Sequence, residues 1–191
     1  MLAGKGFKKV FNVAGGIKAW HSKTAIGSKD LGMDLFQGNE DPLEVLKVAY
    51  SMEQGLREFY LTLGKEAADK KVKDLFSKLA EIEIKHQMSI HAAYNNLAGD
   101  EINKATFEKM VETKASEGGL STDEYLDLFK PDLNSPTDVI SLAMSIEAQA
   151  LDLYQRVSTK IKNQESRDVV NKIANEEKAH LASLGKLMDS L

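Results

Sequence analysis

The chain has 191 residues, of which 42% are hydrophobic and 28% are charged, values typical of a globular protein that buries a sizeable core. This length fits one full domain with an appendage rather than two large domains. The net charge of −4 argues against a nucleic-acid partner, which usually requires a basic face. No apolar run is long enough to span a bilayer and the first residues lack a signal-peptide hydrophobic region, so we expect no membrane association.

The sequence contains no cysteine. This excludes disulfide frameworks, thiolate zinc sites, iron–sulfur clusters and cysteine nucleophiles. Any bound metal must therefore be held by oxygen and imidazole ligands. The lack of disulfides also fits a reducing compartment, and we expect a cytoplasmic protein.

Residues 1–40 differ in character from the rest of the chain. A short β-prone run at residues 10–13 is followed by Gly15-Gly16 and by the start of a helix at residues 17–20. One strand and one helical turn cannot enclose a core. We therefore divide the chain into a remnant at 1–28, a linker at 29–40 and a helical domain at 41–191.

Long helical periodicity begins at Asp41-Pro42, a typical helix opening that Ser135-Pro136 repeats. Four apolar stripes of helical spacing follow, within 43–63, 72–97, 139–157 and 169–191. The connection between the second and third stripes is nearly forty residues long, and we predict short helices around 105–113 and 122–129 within it. Two helical hairpins joined by one long crossover predict an all-α, ferritin-like four-helix bundle with a short irregular N-terminal segment.

The two predicted hairpins resemble each other. A shift of 94 residues superposes identical residue types, most of them polar. The superposed pairs are Ala49 and Ala143, Ser51 and Ser145, Glu53 and Glu147, Tyr60 and Tyr154, Asp74 and Asp168, Lys78 and Lys172, Ala80 and Ala174, Glu83 and Glu177, and His86 and His180. The second hairpin therefore reads as a duplicate of the first.

Each apolar stripe is interrupted by acidic or histidine residues that could carry chemistry. The six candidates are Glu53, Glu83, His86, Glu147, Glu177 and His180. In the second and fourth helices Glu and His are three positions apart, which places them on one side of a helix. We therefore expect all six side chains to point towards the axis of the bundle.

Four buried carboxylates need compensation, because burial without it costs several kcal/mol per ion. No lysine or arginine occupies the stripes near these residues, whereas two divalent cations would neutralise the four charges. One glutamate from each of two helices and Glu-x-x-His from each of the other two is the ligand pattern of di-metal carboxylate bundles. Oxygen-rich sites with one imidazole each suit iron or manganese, and zinc is possible. The alternative is that these residues form exposed faces or satisfied core pairs.

Other polar candidates are weaker. His21 and His91 have no acidic partner at ligand spacing, and we expect them at the surface. Tyr60 and Tyr154 follow the first and third glutamates by two turns. They are either core aromatics or hydrogen-bond donors to the metal-binding carboxylates.

These motifs resemble the rubrerythrin family of ferritin-like proteins, and the resemblance covers about residues 41–191. It rests on residues 52–60, 79–86 and 173–180. The resemblance implies a non-haem di-iron centre that reacts with hydrogen peroxide or dioxygen. Typical rubrerythrins carry a further glutamate where this chain has Ala150, and a rubredoxin-type domain with four cysteines. The ligand set is thus closer to a symmetric, bacterioferritin-like site, and peroxidase turnover needs an external electron donor, such as a rubredoxin-like protein.

The N-terminal remnant resembles the last strand and helix of a rhodanese domain, through residues 4–13, Gly15-Gly16 and Trp20. A truncated rhodanese–rubrerythrin fusion would account for it. Because the chain has no persulfide-forming cysteine, we expect no sulfurtransferase activity.

Three functions remain open from the sequence. The first is a di-iron oxidoreductase that reduces peroxide or oxidises ferrous iron, with the six residues as ligands. The second is an iron buffer or sensor without turnover, and the third is a structural bundle that metal holds together. The family resemblance also implies a homodimer.

Overall fold

The computed structural model describes residues 31–111 and 120–190, without the side chain of Thr122. The predicted rhodanese-like remnant at 1–28 lies outside the described residues, as do the first two residues of the predicted linker. The remnant and the domain boundaries stay predictions.

The described residues are helical, with no strand among them, which confirms the all-α prediction. A 3₁₀ turn at Met33–Leu35 precedes the first long helix. Six α-helices follow within ranges 31–111 and 120–190, and these are α1 (Pro42–Glu66), α2 (Lys70–Ala98), α3 (Lys104–Met110), α4 (Thr122–Phe129), α5 (Pro136–Lys160) and α6 (Gln164–Asp189).

The helices begin and end where local chemistry favours it. The Asp41 side chain accepts a hydrogen bond from Glu44 N, and the Glu44 side chain accepts one from Asp41 N. Ser135 caps α5 in the corresponding place. Such caps satisfy backbone N–H groups that have no partner within the helix. At the end of α2, Gly99 has φ of +73°, a left-handed conformation that glycine adopts without strain.

The long crossover contains the two expected short helices. Helix α4 has the predicted bounds, whereas α3 begins one residue earlier than predicted and ends at Met110. Phe107 of α3 packs edge-on against Tyr50 of α1, with ring centroids 4.9 Å apart. Tyr125 of α4 is fully buried beside Phe59. The crossover thereby covers the outer side of the bundle.

The helices pack as two hairpins, α1 with α2 and α5 with α6, and between the hairpins α1 contacts α6 and α2 contacts α5. Two apolar clusters fill the bundle. The Phe76 cluster contains Leu63, Phe76, Ile140 and Leu184 at one end. The Val157 cluster contains Val45, Tyr94, Val157 and Val170 at the other.

Helices α1 and α6 both run from the Val157 cluster to the Phe76 cluster, and α2 and α5 run the opposite way. The two hairpins are therefore related by an approximate twofold axis across the bundle. This relation is the structural form of the 94-residue repeat.

Residues 31–40, in the predicted linker, lie against the end of α5. Phe36 is buried in the Val157 cluster. Arg156 Nη1 donates to Leu31 O at 3.0 Å, and Lys160 Nζ donates to Phe36 O at 2.5 Å. The segment is thus tied to the bundle by cationic side chains and one buried ring.

Within the described ranges, every helix is too short or too polar to cross a lipid bilayer.

Candidate metal centre

A layer of buried acidic residues separates the two apolar clusters. Each of the four long helices contributes to it at about mid-length, and all four glutamates are at most 3% exposed. The layer consists of Glu53 on α1, Glu83 and His86 on α2, Glu147 on α5, and Glu177 and His180 on α6. The prediction that all six side chains face the bundle interior agrees with this arrangement.

The first group is formed by Glu53, Glu83 and His86. His86 Nδ1 lies 2.6 Å from Glu83 Oε2 and 3.2 Å from Glu53 Oε2. The i, i+3 spacing on α2 brings the first pair together, whereas the contact with Glu53 depends on the packing of α1 against α2. One imidazole nitrogen therefore faces carboxylates from two helices.

The second group repeats this arrangement with longer distances. His180 Nδ1 lies 3.1 Å from Glu177 Oε2 and 3.5 Å from Glu147 Oε2. Again, one pair is local to a helix and the other joins two helices.

The two groups meet through their imidazole rings. The rings of His86 and His180 are stacked, with centroids 3.5 Å apart and planes 4° from parallel. Their side chains are 12% and 18% exposed, so only an edge of each ring reaches solvent. The six residues consequently form one continuous site.

The electrostatics of the second group reflect the proximity of opposite charges. Burial alone raises the pKa of Glu147, but its contacts with His180 and Glu177 and the charges of the imidazoles outweigh burial, so the pKa lies below its ordinary value. Burial lowers the pKa of His180. The hydrogen bond to Glu147 and the negative charges of Glu147, Glu83 and Glu176 together raise it by more, so the pKa lies above its ordinary value. Without metal, this group favours an ion pair.

The donor set fits two divalent metal ions. In each group, ligand atoms from all three residues lie within 4.8 Å of one another. Glu83 Oε2 is buried and accepts no well-aligned hydrogen bond among the described residues, although His86 Nδ1 is near. In a neutral imidazole, the lone pair of Nδ1 can point towards the carboxylates. The lone pairs of this nitrogen and of the carboxylate oxygens then converge on one place, where a cation offsets their repulsion. Carboxylate oxygens with one imidazole suit iron or manganese, and zinc can be accommodated.

The two tyrosines lie on opposite sides of the acidic layer. Tyr60 belongs to the Phe76 cluster and Tyr154 to the Val157 cluster, and both are buried. The Tyr154 hydroxyl donates to Met52 Sδ at 3.8 Å, across the bundle. This thioether partner lies next to Glu53 in the sequence, and helical periodicity did not indicate the contact.

The expectation that His91 lies at the surface is wrong. His91 is half-buried, with Nε2 2.7 Å from Ile102 O and its ring against Phe107. It joins the end of α2 to the start of the crossover, because the chain turns back at Gly99. The prediction for His21 lies outside the described residues.

One cavity of the structure lies near the acidic layer and another lies away from it. A groove of about 120 Å³ lies between α2 and α6, one turn from the histidines, and its lining includes Ser89, Ala93 and Glu176. A larger cavity of about 420 Å³ is lined by Glu40, Lys47 and Met110, outside the acidic layer. Neither cavity is lined by any of the six residues of the layer.

The family of this chain follows from its sequence as well as from the site. A family model described as Rubrerythrin matches residues 44–188, a span that includes all six residues of the acidic layer. Comparisons with curated proteins and with solved structures gave no significant match. Since the match covers far more than half of the chain and the site has the di-metal carboxylate pattern, the chain belongs to the rubrerythrin family.

Proposed function

We propose that this chain is a non-haem di-iron oxidoreductase that reduces hydrogen peroxide, or uses it to oxidise ferrous iron. The observation that carries the proposal is the pair of buried Glu-Glu-His groups joined through stacked imidazoles. Glu53, Glu83 and His86 would hold one iron ion. Their repeats Glu147, Glu177 and His180 would hold the other.

The residues of the layer would perform two tasks. The four carboxylates offset the charge of two divalent ions, and Nδ1 of each histidine supplies a nitrogen ligand. The surrounding apolar clusters exclude water and large molecules. When bound, two ferrous ions supply the two electrons that, with two protons, convert one hydrogen peroxide to two water molecules.

The tyrosines would act as hydrogen-bond donors beside the ligands, for which the Tyr154 hydroxyl would turn away from Met52. Tyr60 and Tyr154 lie on either side of the layer at equivalent places in the repeat. A phenol in such a place can orient a carboxylate or a bound oxygen species by hydrogen bonding.

Electrons for turnover would come from an external donor such as a rubredoxin-like protein, because the chain has no cysteine with which to build a rubredoxin-type centre. The partly exposed edges of His86 and His180 are the parts of the layer nearest to solvent. Peroxide or dioxygen is the proposed oxidant, and a homodimer is the proposed assembly.

Iron binding without turnover is the second candidate function. It is favoured by Ala150, which is fully buried where typical rubrerythrins have an additional glutamate. A buffer or sensor needs the six ligands but not the additional carboxylate.

An anaerobic titration of the metal-free protein with ferrous iron, followed by one addition of hydrogen peroxide, tests the proposal. We expect saturation at two irons per chain and rapid development of ferric absorption. Two bound irons that do not react with peroxide would instead support a buffer or a metal-stabilised bundle. Lack of stoichiometric binding would contradict the di-metal site itself.

A further inference from the structure

Gln87 is a buried polar residue that the ligand pattern does not include. It lies on the interior stripe of α2, one helical turn after Glu83, and is 2% exposed. Its amide nitrogen Nε2 is buried and donates no hydrogen bond within the part of the chain that the structure describes. A buried donor without an acceptor is unfavourable and unusual, so its presence beside the acidic layer needs an explanation.

The register of α1 against α2 shows what Gln87 faces. At Gly64 the helices approach so closely that a Cβ there would lie 3.1 Å from Phe76 Cβ. Eleven residues make about three full helical turns. Counting eleven residues back from Gly64 reaches Glu53, and eleven forward from Phe76 reaches Gln87. Glu53 and Gln87 therefore lie at one level on facing sides of the hairpin.

Contacts of the neighbouring residue agree with this register. Glu53 Oε2 lies 3.2 Å from the Nδ1 atom of His86, which precedes Gln87 in the chain. A metal ion placed between Glu53 and His86 would take the place of this direct contact. A carboxylate has about four lone-pair sites on its two oxygens, so a metal-bound Glu53 can still accept a hydrogen bond from a further donor.

The second hairpin shows that packing does not require an amide at this place. The repeat of Gln87 is Leu181, a half-buried residue that packs against the Phe76 cluster. A hydrocarbon side chain thus fills the equivalent position opposite Glu147.

We propose that Gln87 is a positioning residue that donates a hydrogen bond from Nε2 to the Glu53 carboxylate when metal is bound. It makes the Glu53–Glu83–His86 position the tighter of the two metal sites. This inference rests on the proposed metal centre. Outer hydrogen-bond partners of metal ligands typically change metal affinity by about 10–100-fold.

Calorimetric titration of the metal-free full chain with ferrous iron, without oxygen, tests the inference. We expect two binding steps in the wild type, the first about 10–100-fold tighter. In the Gln87→Leu variant the tight step should weaken by that factor. The matched variant Leu181→Gln should leave the tight step unchanged and strengthen the weaker one.

Thermal unfolding of the metal-free proteins separates positioning from packing. Gln87→Leu removes a buried donor without a partner, so the apo variant should melt at the same or a higher temperature than the wild type. A lower melting temperature of this apo variant would show a packing role and overturn the inference.

The remaining outcomes are also decisive. If the wild type binds two irons with equal affinity, or if Gln87→Leu leaves the difference in affinity between the two steps unchanged, the role of Gln87 is overturned but the metal centre is kept. Failure of the wild type to bind iron would contradict the proposed function as well.

Discussion

The two hairpins carry the same ligand types but hold them differently. In the first, His86 lies 2.6 and 3.2 Å from its two glutamates, and in the second the distances for His180 are 3.1 and 3.5 Å. The side chain of His86 is also less exposed, at 12% against 18%. The first group is therefore the more compact and the more enclosed.

The residues around the ligands differ more than the ligands do. The repeat places Met52 against Ile146, Leu56 against Ala150 and Gln87 against Leu181. Every one of these six residues lies on or beside the buried faces. In the first and third pairs, only the residue of the first hairpin, Met52 or Gln87, has a side chain that can form a hydrogen bond. The comparison teaches that the repeat preserves the groups that could bind metal, whereas their supports make the two positions inequivalent.

Loss of one carboxylate should have the largest effect and should act on one half alone. In separate variants, Glu53→Gln and Glu147→Gln should each weaken one of two iron-binding steps by more than about 100-fold, which exceeds typical outer-shell effects. The Glu147→Gln apo variant should melt lower than the apo wild type, because the change removes the carboxylate that pairs with His180 in the metal-free protein. Titration and thermal unfolding measure the two effects. Exposed Glu58→Gln is the control and should change neither, and two tight irons in both ligand variants would contradict the assignment.

Metal removal should destabilise both halves together. Ligand at about 100 times its Kd adds about 2.7 kcal/mol to the free energy of unfolding. For a chain of this size that corresponds to roughly 5–11 °C in melting temperature. Thermal unfolding with ferrous iron and with a chelator measures the difference. The double variant Glu53→Gln/Glu147→Gln should show little difference in melting temperature between the two conditions. A shift as large as that of the wild type would mean that metal binds elsewhere.

The contact between Tyr154 and Met52 distinguishes the halves by a smaller amount. Met52→Ile gives the first hairpin the residue that the second has at position 146, and removes the thioether acceptor of a buried hydroxyl. We expect a loss of about 1–2 kcal/mol in the free energy of unfolding. Adding Tyr154→Phe should recover part of that loss, because both polar partners are then absent. Denaturant unfolding measures the cycle, and additive losses would show that this hydrogen bond contributes nothing.

The smallest effect concerns pH and the second half. The raised pKa of His180 stabilises the apo fold below the ordinary value of 6.5, and this contribution is lost as pH rises through the raised pKa. The lowered pKa of Glu147 stabilises it above 4.5, and this contribution is lost as pH falls through the lowered pKa. The apo protein should therefore be most stable between these limits.

Melting temperatures of the chelated protein between about pH 5 and pH 9 test this expectation. Glu176→Gln removes a charge that helps to raise the pKa of His180, so the loss at high pH should begin at lower pH. In the metal-loaded protein the loss at high pH should disappear, because metal binding requires a deprotonated imidazole. A chelated protein whose stability does not change with pH would contradict the ion pair.

Much of the fold follows from short-range patterns. Asp41-Pro42 and Ser135-Pro136 open α1 and α5 as predicted, since caps and proline act on the first helical turn alone. Gly99 ends α2 for an equally local reason. The irregular segment at 31–40 could not be placed in this way, because its attachment depends on side chains of Arg156 and Lys160, more than a hundred residues away.

The sequence by itself determined which residues face the interior of the bundle, because a helical period of 3.6 residues assigns each residue to a face. For this reason the six candidate ligands and the repeat could be predicted from the sequence. The partner of each face was decided only by the tertiary structure. The stacking of His86 on His180, the contact of Tyr154 with Met52 and the close approach of Gly64 to Phe76 all depend on how one helix slides and rotates against another. Packing of whole side-chain surfaces fixes that register, and no local pattern encodes it.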